Sequence, residues 1–248
     1  MITNLEQKLK DLSLVAFPRE ACAFCSEEEV YPIKNISQEE TSFLLCPIET
    51  AKLYLKLGDF SSIKYLWHSH CKQVNGLFDI RTPSEADMLL HKKLKLPLLI
   101  SGYDGNKFFS TIEFPSQPSL DKNLTGRPYI CGVFDCGILL RDVFLRDLGI
   151  SLNYEFQASY LSLRNWPEAV KTFLTLNGFE EVFDGIKPYD VLVVPMFNIQ
   201  EAHGVLVTEE GKFVLDQRET SRLIPIEEYL YSPHKVYRFN KIKFLERF

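Results

Sequence analysis

Trp67-His68-Ser69-His70, followed by Pro83-Ser84-Glu85-Ala86-Asp87, is the stretch from which the rest of the chain can be read. Lys64 to Trp67 has the apolar character of a strand end, and side chains along a strand alternate between faces. His68 and His70 therefore point to the same side. Ser84 is a helix-capping residue, and Met88 to Leu96 beyond it has helical apolar spacing. Asp87 then sits on the first helical turn, where it can face back to the two histidines. Two imidazoles and a carboxylate are what a catalytic zinc site takes from a protein, with a fourth position left for water. His68, His70 and Asp87 are the expected ligands. The plain alternative is a pair of satisfied strand histidines ahead of an ordinary capping serine. Glu20 upstream weighs against it, since it supplies a carboxylate to move protons.

The bulk properties bound the rest. A chain of 248 residues makes one large domain or two small ones. Hydrophobic content of 46% and charged content of 25% belong to an ordinary globular protein. A net charge of -5 offers no basic field, which excludes a general binder of nucleic acid or acidic lipid. No stretch reaches the roughly 18 apolar residues of a membrane span, and Met1 to Asp11 is too polar for a secretory signal. The expectation is synthesis in a cytoplasm. The six cysteines (22, 25, 46, 71, 131 and 136) suit neither a disulfide scaffold nor a four-thiolate metal site, because Cys22-Ala23-Phe24-Cys25 has no second such pair. Buried small hydrophobes are the simpler reading. Cys71, next to His70, is the one thiol placed to interfere with a metal.

Composition shifts once. Phe114 to Pro128 holds three prolines, a glycine and few apolar residues, the pattern of a linker. Upstream, Leu96 to Ile100 and Lys107 to Phe114 look like strands around a Tyr103-Asp104-Gly105-Asn106 turn, and Glu49 to Leu57 and Ser84 to Leu96 like helices. Downstream, Asp135 to Asp147 is helical in spacing, with Ile138, Leu139, Val143 and Leu148 apolar. Strand-like runs follow at Val191–Pro195, Gly204–Thr208 and Lys212–Leu215. The expected fold class is α+β: two small mixed domains, residues 1–115 and 128–248, joined by a linker over 116–127.

The second half carries different chemistry. Phe134-Asp135-Cys136-Gly137 places a cysteine at a helix start, where unpaired amides and the helix dipole favour the nucleophilic thiolate. A histidine must accept and return the proton. His234 lies in a polar Ser-Pro-His-Lys segment, whereas His203, in Glu201-Ala202-His203-Gly204-Val205, begins an apolar strand that would hold it rigidly. A third polar group must orient the ring. Asp216 and Gln217, at the end of the next strand, both qualify.

Pro18-Arg19-Glu20-Ala21-Cys22, then His68-Ser69-His70, then Pro83-Ser84-x-x-Asp87, resembles the JAMM/MPN metallopeptidase motif. The resemblance covers roughly residues 1 to 115. It implies Zn2+ on His68, His70 and Asp87, Glu20 as general base, and Ser84 as the donor that stabilises a tetrahedral oxyanion. The chain departs from the pattern in two places. Thirteen residues separate His70 from Ser84, more than is usual, and Cys71 stands where proline often follows.

Asp135-Cys136 at a helix start, with Ala202-His203-Gly204-Val205 at a later strand, resembles the NlpC-type papain-like cell-wall peptidases. Tyr129 and Leu148-Gly149-Ile150 add to the match. It implies Cys136 as nucleophile, His203 as base and a polar third residue, commonly His, at the place of Asp216. Gly137 stands where many members have Ser, a change of little expected chemical weight.

The two halves in this order, with Arg141-Asp142 in the helix, resemble the tail assembly protein K family of long-tailed phages. That resemblance implies a protein of the virion tail tip, with other tail-tip proteins as partners. It implies a cysteine endopeptidase acting on peptidoglycan stem peptides at the host cell wall, and a second, zinc-dependent peptidase site. The competing expectation is a structural tail-tip component with one or both sites vestigial.

Overall fold

The computed structural model describes residues 2–73, 78–118, 120, 124–155, 165–196, 199–218, 220–231 and 235–246. They form two compact units, Met1–Gln117 with Ile130–Val133, and Pro118–Tyr129 with Phe134–Phe248. Each unit mixes helices with one sheet, so the chain is α+β. The end of the stretch read as a linker is built into the second unit. Gly126 N–H donates to Ser221 O at 2.7 Å and Arg127 N–H to Ser221 Oγ at 2.8 Å.

The first unit runs α1 (Ile2–Ala16), β1 (Cys22–Cys25), β2 (Val30–Ile33), α2 (Pro47–Leu57), β3 (Tyr65–His70), α3 (Glu85–Leu94), β4 (Leu98–Tyr103) and β5 (Phe108–Phe114). Its sheet has the order β2-β1-β3-β4-β5. β3 and β4 are parallel, with α3 in their connection, and the other pairs are antiparallel. α1 is a helix that the polarity of Met1 to Asp11 concealed. Leu5 and Leu9, one turn apart, bury against Ala23, Trp67 and Leu99 on one sheet face. Trp67 Nε1–H donates to Ser101 Oγ at 2.9 Å, so this fully buried ring keeps its polar edge satisfied. Because strand side chains alternate, the residues flanking Trp67 face away from α1, and the histidines are among them.

The second unit runs α4 (Cys136–Leu148), α5 (Trp166–Leu176), β6 (Phe179–Val182), β7 (Val191–Met196), β8 (Ile199–Val207), β9 (Phe213–Asp216), β10 (Arg222–Pro225), α6 (Glu227–Leu230), β11 (Lys235–Phe239) and α7 (Lys241–Leu245). Its antiparallel sheet has the order β10-β9-β8-β7-β11-β6. α4 packs Leu139, Leu140, Val143 and Phe144 against Val191, Val193, Leu206 and Leu215. Leu148, expected on the apolar side, is 40% exposed, and Leu140 and Phe144 complete the buried face instead. Gly149 ends the helix in the left-handed conformation (φ 66°), where glycine carries no Cβ penalty. The opposite sheet face packs Val194, Val205, Val207 and Val214 around Ile224 and Tyr229. No helix among the described residues is long and apolar enough to cross a membrane.

Candidate active sites

In the first unit, antiparallel pairing of β1 with β3 sets Cys22 opposite His68. The pairing runs on past the strand end, since Ser69 N–H donates to Ala21 O at 3.0 Å and Ala21 N–H to Ser69 Oγ at 2.9 Å. Glu20, forty-eight positions before His68 in the chain, is thereby delivered to the histidine face. α3 supplies the third ligand. Ser84 is its N-cap, and Ser84 with Asp87 forms a reciprocal capping box. Asp87 Oδ2 accepts from Ser84 N–H at 2.7 Å and from Ser84 Oγ–H at 2.8 Å. The cap holds the carboxylate so that Oδ1 lies 3.0 Å from His68 Nε2 and Oδ2 3.2 Å from His70 Nε2.

His68, His70 and Asp87 are buried, and their ligand atoms lie within 4.8 Å of one another, so the group can hold a metal ion. His70 Nδ1 sits 2.6 Å from Ile80 O, which places the ring proton there and leaves Nε2 as the lone-pair nitrogen. His68 lies beneath the stacked ring of Phe43 at 4.5 Å, and its Nδ1 has no partner among the described residues. The donor set of two imidazole nitrogens and one carboxylate oxygen is one that zinc takes. Burial opposes charge on His70, yet the hydrogen bond and charge of Asp87, with Glu20, push its pKa up to about 9 in the metal-free protein. Burial likewise opposes charge on Asp87, and the two imidazoles overcome it, holding the carboxyl well below the usual range. Glu20 is buried and raised, because burial outweighs the pull of His68 and His70. A raised carboxylate suits a proton carrier near neutral pH.

Glu20, His70, Ser84 and Asp87 line one cleft of about 470 Å³, walled by Phe43 and Leu90. Cys71 stands apart from the ligand group: its Sγ donates to Glu40 O at 3.3 Å. Cys22 and Cys25 are buried in β1, with thiols pushed up to about 12 by burial. Val74 to Leu77, in the lengthened connection between His70 and Ser84, lie outside the described residues. The Ile80 end of that connection holds His70, and Gly102 makes room for it. A Cβ at Gly102 would lie 2.3 Å from Ile80 Cγ2. Gly102→Ala is therefore expected to push Ile80 O off His70 Nδ1 and weaken metal affinity by about 10–100-fold. Isothermal titration of the chelated protein with zinc checks this, and an unchanged affinity contradicts it.

In the second unit, Cys136 is the first residue of α4. Asp135 caps the helix by accepting from Ile138 N–H at 3.0 Å, and its other carboxylate oxygen takes the hydroxyl of Tyr154. A Cβ at Gly137 would lie 2.6 Å from Tyr154 Cε2, so glycine is what lets this tyrosine lie over the helix start. The residue read as a change of little weight thus has a packing reason. His203 lies within β8 rather than at its beginning. It is 1% exposed, and its Nε2 is 2.8 Å from Asp216 Oδ1. Cys136 acts on the same ring by hydrogen bond and by charge. With Nε2 committed to Asp216, Nδ1 is the nitrogen left for the sulfur.

Asp216 and Gln217 are neighbours on an extended chain and point to opposite sides, so one of them reaches His203. It is Asp216, whose Oδ2 is held in turn by Arg218 Nε at 2.7 Å and by the Tyr229 hydroxyl. Burial opposes the Asp216 charge, but His203, Tyr229 and Arg218 hold the carboxyl far below its ordinary value. Gln217 bonds elsewhere, to Phe134 O. His234 lies outside the described residues. Tyr154, Arg218 and Tyr229 carried no motif signal, because each joins the site through folding alone.

Burial opposes charging His203, and Cys136 with Asp216 overcomes it, raising the ring to about 9 from 6.5. A raised histidine stabilises the fold fully below its unfolded value, and that contribution fades as pH climbs through the folded value. The difference in unfolding free energy between the protein and His203→Gln is thus expected to shrink from about pH 6.5 to about pH 9. Urea titrations across that window check it; a constant or widening gap contradicts it.

No family model matches the chain. Tail tip assembly protein K of Escherichia phage N15 is 29% identical over 150 residues, covering 58% of this chain and 55% of that protein. The chain thus spans about half the length of the curated relative it matches. This similarity supports a relationship to phage tail assembly proteins. A Desulfitobacterium hafniense protein solved in solution matches at a TM-score of 0.30 and 20% identity, over 45% of this chain and 80% of that one.

Proposed function

We propose that this chain is a phage tail-tip protein whose second unit is a cysteine endopeptidase for peptidoglycan stem peptides and whose first unit holds a zinc-dependent peptidase site of the JAMM type. The observation that carries the reading is the buried His203–Asp216 pair at 2.8 Å, coupled to a cysteine at a helix start. His203 Nδ1 takes the thiol proton, and the sulfur attacks the carbonyl carbon of an amide bond. Asp216 stays ionised, fixes the ring orientation and steadies the imidazolium. The backbone amide of Cys136, at the start of α4 and outside the Asp135 cap on Ile138, would serve the developing oxyanion. His203 returns its proton to the leaving amine, and the thioester is then hydrolysed by a water that His203 deprotonates. Similarity to a tail tip assembly protein supports the location and other tail proteins as partners.

In the first unit, His68, His70 and Asp87 would hold the zinc, which when bound supplies Lewis acidity and a water acidified to near neutral. Glu20 would carry the proton between nucleophile and leaving group. Ser84 fixes Asp87 through its own hydroxyl and backbone amide, and it lines the cleft where an oxyanion donor is needed. One observation favours a structural metal here instead. Among the described residues, His68 Nδ1 has no outer partner of the kind that orients the ligands of catalytic zinc sites.

Incubating the protein with purified sacculi and identifying released fragments by mass spectrometry tests the reading. Stem-peptide fragments with new amide-bond termini are expected. Intact sacculi, under conditions where a known stem-peptide endopeptidase cuts them, would sink it in favour of a tail-tip scaffold.

A further inference from the structure

β9 ends at Asp216, and Gln217 follows directly. Gln217 is 1% exposed and turns away from His203. Its Nε2 donates to Phe134 O at 2.9 Å and to Pro128 O at 3.3 Å, while its Oε1 is buried without a partner among the described residues. Phe134 is two residues before Cys136, with the N-cap Asp135 between them. The carboxamide therefore grips the turn by which the chain enters α4.

We infer that Gln217 is a positioning residue for Cys136, forming with Asp216 a two-residue brace that holds the nucleophile's turn and the base's ring from one segment of chain. The inference rests on the reading of Cys136 and His203 as the reacting pair. A brace of this kind explains why a primary amide is buried here at all. Two N–H donors on one rigid plane meet two carbonyls, which no apolar side chain can do. An Oε1 unpaired among the described residues makes the residue an unfavourable choice for packing alone. Pro128 is bridged to Thr220 close by, and the carboxamide adds a second tie at Phe134 O, next to the helix that begins with the nucleophile. Because sulfur-to-imidazole proton transfer needs contact distance, a shift of about 1 Å in that turn would uncouple the pair.

Alkylation of the full-length protein by iodoacetamide, read cysteine by cysteine by mass spectrometry at about pH 6 and about pH 9, tests the inference. Half-exposed Cys46 is the internal reference. Cys136 is expected to react at the lower pH in a His203-dependent manner, the reaction being lost in His203→Ala. Gln217→Met, of similar shape but without donors, is expected to cut the low-pH rate at least about tenfold while sparing the high-pH rate and Cys46. Gln217→Leu, which also lacks the donors, gives the same test should the Met variant not fold. Gln217→Asn keeps the amide on a shorter stem and is expected to recover part of the rate. Wild-type low-pH reactivity in both donor-free variants overturns the inference and leaves the catalytic reading intact. So does an equal loss at both pH values with a lowered melting temperature, which is the mark of a merely structural residue. Absence of any His203-dependent reaction in the parent protein overturns the catalytic reading itself.

Discussion

Cys136→Ala is expected to lower the release of stem-peptide fragments from sacculi by at least about a thousandfold. In the proposed mechanism the sulfur is the atom that forms the new bond, and no neighbouring hydroxyl stands in its place at the start of α4 in the sequence Phe134-Asp135-Cys136-Gly137-Ile138. His203→Ala should lose about as much, since without a base to take the thiol proton the same step fails, and the two losses should not add in the double variant. Asp216→Asn is the more informative change. It keeps the shape but removes the charge that Oδ1 presents to His203 and Oδ2 to Arg218 and Tyr229. A loss of about 10²–10⁴-fold is expected, carried by the rate constant rather than by KM, because Asp216 acts on the ring and not on the substrate. Fragment release that survives Cys136→Ala would remove the second unit as the source of the activity. Release that survives Asp216→Asn at full rate would leave Cys136 and His203 as a working dyad and strip Asp216 of its part.

The second large effect concerns the metal. The purified protein is expected to carry one zinc ion per chain, held by His68, His70 and Asp87, and Asp87→Ala to lose it. Ligand binding stabilises a folded unit by mass action, about 4 kcal/mol when free zinc exceeds its dissociation constant a thousandfold. Chelation should therefore lower the unfolding transition of the first unit and leave that of the second in place. Asp87→Ala also deletes the capping-box carboxylate, a further cost of about 1 kcal/mol to α3 that zinc cannot restore. Elemental analysis with calorimetry in zinc and in chelator checks both statements. A metal-free protein whose melting is indifferent to added zinc would leave the three residues as a buried ion-pair cluster. Glu20→Gln separates the roles of a bound ion. It should keep zinc and stability while abolishing any peptidase activity of the first unit, whereas a structural metal would make the substitution silent.

Much of both sites was legible because it rests on short-range rules. Strand alternation put His68 and His70 on one side, and a four-residue capping signal put Asp87 on the first turn of its helix. The same logic set Cys136 at the start of α4 behind the cap Asp135. These are properties of residues within a turn or a few strand positions of each other, so the string of letters carries them. Other elements escaped the reading. α1 looked merely polar because the apolar stripe that it buries among the described residues is short: Leu5, Leu9 and a partly buried Leu12. The β1–β2 hairpin, the edge strands β6 and β10, and β11 between β7 and β6 are runs of only four or five residues, too short to stand out.

The sequence by itself determined which candidate groups each half carries and their local placement: two imidazoles and a capping carboxylate in one, a helix-start thiol and a strand imidazole in the other. It could not choose between Asp216 and Gln217, because both lie at the end of the same strand. The tertiary structure chose, since adjacent side chains face opposite sides and only the side of Asp216 meets His203. Folding alone likewise brought Glu20 to the histidines through the β1–β3 register, and Ile80 to His70 through the space that Gly102 leaves. Local backbone preference acts over a few residues and is written in the residues themselves. A contact between distant segments depends on how whole strands and helices pack, and no single stretch of sequence contains it.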